Sequence, residues 1–410
     1  MIGPGLITGA SDDDPSGIAT YSQAGAQFGY SLGWTLLLTY PLMCAIQMIS
    51  AQIGRVTGRG LAGNMRRHYP APLLYMLIGS LVVANTINLG ADLGAMAAAL
   101  KLLLDAPAVI YIAGFAVITI VAEVFIRYSS YTSVLRWLTL SLFAYVGTVF
   151  IVQVPWGTVA KNLVLPQFSL DGNYLTVVVA VFGTTISPYL FFWQAAEEVE
   201  DEKGDAQAKP LIRAPRQAPR QLARIQLDTL AGMGLSNIIA LFIMLTTAAT
   251  LHAHGVKQIE TSSQAAQALR PIAGEFAFTV FALGIVGTGL LAVPVLAGSA
   301  AYAVGEALHW RVGLAQRPGR APAFYAAIAA ATLIGAALNF TPLDPIKALF
   351  WSAVINGVAA VPIMAMIMLM GSHRAVMGQF TLKPALKTLG WLATAAMAAA
   401  VVGMFATWGD

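Results

Sequence analysis

Residues 3–29 read GPGLITGASDDDPSGIATYSQAGAQFG. The stretch is long enough to cross a hydrocarbon core of ~30 Å as a helix. Yet three consecutive carboxylates, Asp12, Asp13 and Asp14, stand in its middle, followed by Pro15, Ser16 and Gly17. One charge at mid-membrane costs several kcal/mol. Three do not persist on a continuous, lipid-facing helix. Pro15 removes a backbone donor and Gly17 resists helix formation. The reading is an unwound segment that lines a wet or ion-occupied cavity. Asp14 and Pro15 also suit the N-cap and first turn of a second half-helix. Capping does not account for Asp12 and Asp13. They fall at the negative end of the first half-helix, where carboxylates call for a cation.

The rest of the chain supplies the setting. Of 410 residues, 58% are hydrophobic and only 10% are charged, and mean hydropathy is +0.71. Soluble domains carry roughly 25% charge. A soluble enzyme and a disordered chain are both excluded, and an all-α polytopic membrane protein remains. The single cysteine, Cys44, rules out an intramolecular disulfide framework and multi-Cys metal centres. No cleavable signal peptide is expected, because the start lacks a basic region and runs into the acids.

Eleven apolar stretches are expected to span, at about 3–28, 31–54, 72–103, 107–126, 134–154, 174–197, 226–251, 272–308, 322–342, 346–371 and 386–407. The eighth is long enough for Gly284 and Pro294 to break it or for its end to leave the membrane as an amphipathic helix. Splitting it would move Arg311, Arg317 and Arg320 outside and weaken the charge asymmetry between loops, so it is kept as one crossing. Alternate loops and their flanks hold 18 of the 23 basic residues; Lys101, Lys161, Lys257, Arg270 and Lys347 fall on the other side. This asymmetry puts the N-terminus in the cytoplasm and explains a net charge of +4 without nucleic acid. The polar stretch at about 198–225 reads as a solvated cytoplasmic loop.

A second stretch, LTVVVAVFGTTISPYLFFWQAAEEVE, is broken at Gly183-Thr184-Thr185-Ile186-Ser187-Pro188. Freed carbonyls before Pro188 and the hydroxyls of Thr184, Thr185 and Ser187 are hard oxygen donors. Interrupted helices at corresponding places in two halves point to an inverted-repeat transporter. The halves are about 1–155 and 172–372, with an extra helix at about 385–408, in one transport domain covering 1–410.

Asp14-Pro15-Ser16-Gly17-Ile18-Ala19-Thr20 resembles the first-span Asp-Pro-Gly-Asn-x-Ala-Thr motif of Nramp divalent-metal transporters. Gly183-Thr184-Thr185-Ile186-Ser187-Pro188-Tyr189 resembles that family's Gly-Ala-Thr-Val-Met-Pro-His. The resemblance implies a LeuT-like fold and a metal site at Asp14, Gly17, Thr184 and Ser187. Gly17 stands at the family's Asn, Thr184 at its Ala and Ser187 at its Met. Loss of the soft thioether removes discrimination against hard ions. Gly17 removes a ligand and leaves space. Such a site suits partly hydrated Mg²⁺, which gives up water reluctantly, and Asp12 and Asp13 are candidates to hold its outer waters. The combination resembles the Nramp-related magnesium transporter branch, which implies passage of Mg²⁺ and also Mn²⁺.

Asn88 and Ala91 stand where the family has third-span acids, and Tyr189 replaces its His. Tyrosine does not titrate near neutrality, so weak or absent proton coupling is expected. Asp92, one residue from the acidic position, would restore coupling and a proton-coupled Mn²⁺ importer. An organic-solute carrier on the same fold is a further alternative. No HExxH, GxSxG or Walker motif supports an enzyme.

Asn356 is a candidate to face the cavity or to bond another helix. Glu197 and Glu198 line an exit or begin the acidic loop. Glu123 is positioned to pair with Arg127. Asp228 and Asn237 suit polar glue or the transport path. His252 and His254 are too close in sequence to share a helical face. Mg²⁺ or Mn²⁺ enters as substrate and no cofactor is expected. The implied setting is a monomer in a bacterial inner or plasma membrane, without an obligate protein partner.

Overall fold

The computed structural model describes residues 4–126, 140–341 and 344–408. The expected first span is two helices, α1 (Pro4–Asp12) and α2 (Pro15–Phe28). After them come α3 (Gly33–Thr57), the short α4 (Leu61–His68), α5 (Ala71–Lys101) and α6 (Ala108–Phe125). Residues 134–139 of the fifth expected span lie outside the described residues. Its remainder contains α7 (Phe143–Ile151), from which α8 (Trp156–Val164) turns away by 116°.

The second half opens with α9 (Gly172–Thr185) and α10 (Pro188–Gly204). It continues through α11 (Ala218–Thr250), α12 (Ala277–Ala307), α13 (Pro322–Leu338) and α14 (Pro345–Ser372). A last helix, α15 (Pro384–Ala406), follows. Helix starts obey local chemistry: Asp171 caps α9 through Tyr174 N, and Asp344 caps α14 through the amides of Ile346 and Lys347.

Among the described residues, eight helices are long and apolar enough to cross a membrane, or nine if the bent pair forms one span. Two expected spans stand apart for physical reasons. The first is interrupted by its acids, and α13 has only 17 residues. Gly284 and Pro294 lie inside an uninterrupted α12, so the eighth stretch is one helix, as expected of a single crossing. The polar stretch is also shorter than expected. Helix α10 carries Glu198, Glu200, Asp201 and Glu202 in its last turns, and α11 already contains Arg220 and Arg224. Ion pairs hold those ends in helix: Arg224 meets Glu198 at 2.5 Å and Asp201 at 3.4 Å, and Arg55 meets Asp201 at 3.1 Å.

The exterior is apolar, and a minority of polar side chains is sequestered inside a largely apolar core, unlike a soluble protein. Ile110 and Val117 on α6, Leu333 and Ile334 on α13, and Val402 and Phe405 on α15 are each more than half exposed. Asn85, Asn88, Asp92, Gln47 and Gln194 are buried. A belt of this kind belongs in lipid. Helix α5 packs against α12, α13 and α14, while α1 lies on α11 and α9 on α14. The broken helices approach their neighbours through glycine. A Cβ at Gly9 would stand 2.2 Å from the Gly232 carbonyl carbon, and one at Gly183 2.1 Å from the Ala353 oxygen. Only a missing side chain allows such backbone contact.

Candidate cation site

The two breaks meet inside the bundle. Asp12 ends α1, and Asp14, in extended conformation, caps α2. Its Oδ1 accepts from Gly17 N at 2.6 Å. The capping reading of Asp14-Pro15 is therefore correct but incomplete, because capping uses one oxygen. The other, Oδ2, accepts from Asn88 Nδ2 at 3.2 Å and from the Tyr189 hydroxyl at 3.4 Å. Tyr189 begins α10 beyond the second break, and its hydroxyl also lies 3.3 Å from the Ser11 carbonyl.

Asn88 joins the site together. Its amide nitrogen also reaches Asp92 Oδ2 at 3.1 Å, and its Oδ1 accepts from Asn356 Nδ2 at 2.8 Å. Asp14, Asn88, Asp92, Asn356 and Tyr189 thus form one buried cluster contributed by α2's cap, α5, α14 and α10. Asp92 Oδ1 and Asn356 Oδ1 are buried and have no hydrogen-bond partner among the described residues. Buried polar oxygens of this kind require explanation. Ser16 fixes the start of α2 against α14 through the Leu349 carbonyl at 3.3 Å.

The three carboxylates do not point one way. Ser236 on α11 lies 2.7 Å from Asp12 Oδ2 and 3.0 Å from Asp13 Oδ1. Asp12 and Asp13 therefore face α11, and Asp14 faces α5 and α10. Among the described residues, no group of three or more His, Cys, Asp or Glu side chains is arranged to hold a metal ion.

At the second break, Pro188 has no N–H to satisfy the Thr184 carbonyl. The Ser187 hydroxyl lies 2.8 Å from both the Thr184 and Gly183 carbonyls and closes the open helix end. Thr185 likewise turns back to Val181 O at 2.9 Å. Both hydroxyls spend their protons on carbonyls of α9, leaving oxygen lone pairs for a ligand. Gly17 does not leave the expected open space. A Cβ there would be 3.2 Å from Thr184 Oγ1 and 3.3 Å from Tyr21 Cε2. Gly17 is instead where α2 closes on α9.

Other candidates fall elsewhere. Glu198 is buried in the ion pair with Arg224, and Asp228 lies 3.6 Å from the same arginine. Glu197 is half-buried. Asn237 donates to the Leu36 carbonyl at 3.1 Å and ties α11 to α3. Glu123 is buried near the end of α6; its expected partner Arg127 lies outside the described residues. The rings of His252 and His254 engage separate carbonyls, those of Ala26 and Thr250. Ser236 and the joining role of Asn88 escaped the sequence reading. The Asn88–Asp92 spacing of one helical turn was the available signal.

Apolar-faced helices, with two of them interrupted where buried polar groups converge, define a multi-pass membrane protein of the broken-helix, LeuT-like kind. Solved structures agree on the fold. A manganese transporter of Eremococcus coleocola superposes with a TM-score of 0.74 at 18% identity, covering 100% of this chain and 87% of that one. Mhp1, a nucleobase-cation-symport-1 family transporter in a closed conformation, gives 0.55 at 14% identity, covering 99% and 93%.

The family model "Natural resistance-associated macrophage protein-like" matches residues 5–407, and the chain belongs to that family, Nramp. Similar proteins include one named divalent metal cation transporter MntH from Verminephrobacter eiseniae, 29% identical over 297 residues. That match spans 70% of this chain and 64% of the relative. A Yersinia pestis protein of the same name is 27% identical over 299 residues, 71% of this chain and 68% of that one. These relatives are named as transporters, not enzymes.

Proposed function

We propose that the protein carries divalent metal cations across a membrane by alternating access, accepting Mg²⁺ and also Mn²⁺ as partly hydrated ions. One observation carries this reading: Asp14, buried at the first break, turns the oxygen not used in capping toward Tyr189 beyond the second. Asp14 is the charged ligand. Thr184 and Ser187 add oxygens directly or through water, Gly17 brings α2 against them, and Asn356 and Tyr189 complete the polar wall. Asp12 and Asp13 attract the ion and hold its outer waters. Asp14, Thr184, Ser187 and Asn356 offer oxygen donors, which suit a hard ion. The names of the similar proteins support a divalent metal substrate.

A cavity of about 260 Å³ lies among α2, α9 and α14, lined in part by Gln23, Asn173, Glu260 and Lys347. It reaches Ala19, five residues beyond Asp14 and so roughly 7 Å along the helix. We assign it as the entry from the side opposite the basic loops. The same reading has eleven spans, a cytoplasmic N-terminus, a monomer in a plasma-type membrane, and two five-span repeats with an added helix.

A specific observation favours a second reading, proton-coupled Mn²⁺ transport. Asp92 is buried and joined to Asp14 through the single amide of Asn88. Influx of Mg²⁺, Mn²⁺ and Ca²⁺ into proteoliposomes, with internal pH recorded, separates the two. The first reading expects Mg²⁺ entry without acidification. Mn²⁺ entry that acidifies the lumen, abolished by Asp92→Asn, selects the second. No flux of any of these ions overturns both and returns the organic-solute carrier.

A further inference from the structure

A different cavity, of about 210 Å³, lies where the α3–α4 turn, α4, the linker before α11 and the segment after α14 meet. Its polar lining is Thr57, Arg59, Asn64, Arg67, His68 and Arg213. No acidic side chain lines it among the described residues. Glu202 packs near Gly58 but is not part of the wall. Nor do Arg59, Arg67 and Arg213 form ion pairs among the described residues, whereas Arg55 and Arg224 are committed to acids of α10. Burial, then the charges of Arg67, His373 and Arg59, hold the His68 imidazole below its ordinary pKa. Glu202, outside the wall, feels the charge of Arg213, but no acidic group within the wall answers the positive field.

The walls are built. Leu211 N and Ile212 N bond the Arg55 and Val56 carbonyls at 3.2 Å each, pinning the linker to the end of α3. Buried Asn64 donates to Thr57 Oγ1 and to the carbonyls of Arg59 and Gly60, fixing the turn. The positive-inside rule accounts for the sign of this face. It does not require three unpaired guanidinium groups to converge on one cavity.

We propose that this cavity binds a phosphate-bearing anion, the headgroup of an anionic phospholipid or a free phosphate compound. Guanidinium groups match phosphate oxygens with paired donors. The volume corresponds to about seven waters, enough for a phosphate with its glycerol. Basic pockets between helices on the cytoplasmic side hold lipid headgroups in other membrane proteins. Ile212, 46% exposed, supplies an apolar contact at the wall that an acyl chain would use and a free phosphate would not.

The test uses the purified full-length protein in detergent, with native mass spectrometry after adding phosphatidylglycerol or phosphatidylcholine of matched chains. Preferential retention of phosphatidylglycerol is expected. Arg67→Gln with Arg213→Gln should lower it about tenfold, the scale of lost charge-assisted pairs. Arg216→Gln with Arg220→Gln removes equal charge nearby and should leave it within about twofold, as for surface charge. Displacement by glycerol phosphate identifies a site that needs phosphate alone. Retention of lipid in its presence identifies a lipid site. The proposal is overturned if neither phosphatidylglycerol nor glycerol phosphate binds selectively, or if both double variants lose binding equally. None of these readouts depends on metal transport.

Discussion

The two interrupted helices solve one backbone problem in opposite ways. At the α9–α10 break the open helix end is closed from within, because Ser187 and Thr185 bond carbonyls of their own chain. At the α1–α2 break the acids reach outward, Asp14 to α5 and α10, Asp12 and Asp13 to α11. One break supplies charge and the other supplies neutral dipoles. Pro alone does not make a site. A proline break can be satisfied locally, but three buried carboxylates cannot.

Removing the charge tests this contrast most severely. Asp14→Asn keeps a good cap for α2 and deletes the anion. Metal flux in proteoliposomes should fall about 100-fold or more, the scale of roughly 3 kcal/mol for an uncompensated buried charge partner, with little change in thermal stability. The next largest effect is expected at Asn88→Ala. Asp14 and Asp92 lose their shared donor, so uptake should drop about tenfold, equivalent to roughly 1.4 kcal/mol. A full-rate Asn88→Ala protein would show that the cluster is structural.

At the neutral break, Ser187→Met removes the back-bonding hydroxyl, frees two carbonyls and adds a soft sulfur. The ratio of Cd²⁺ to Mg²⁺ uptake should rise several-fold. An unchanged ratio would show that Ser187 does not line the path. Ser236→Ala should act least, lowering uptake about twofold while stability falls by about 1 kcal/mol, the cost of one hydrogen bond to buried acids. A larger loss than at Asn88 would move the centre of the site from Asp14 to Asp12 and Asp13.

Both breaks were legible in the sequence because charge and proline contradict an apolar helix where they stand. The helix order followed for the same reason, since hydrophobic length reports spans directly. The direction each polar group faces was not legible. α5 is apolar almost all round, so Asn88 and Asp92 carry no hydrophobic stripe against which to be placed. Ser236 is one hydroxyl in a 33-residue helix and gains meaning only where α1 ends against α11. Gly17 misled in a different way. A missing side chain reads equally as empty space or as close contact, and here Thr184 and Tyr21 occupy the space.

On the proposed function, the two breaks form one cation site whose charge is Asp14. Mn²⁺ titration of the purified full-length protein, followed by electron paramagnetic resonance, tests it most directly. A bound Mn²⁺ that Mg²⁺ displaces and that Asp14→Asn abolishes is expected. Mn²⁺ binding that survives Asp14→Asn undiminished would contradict it.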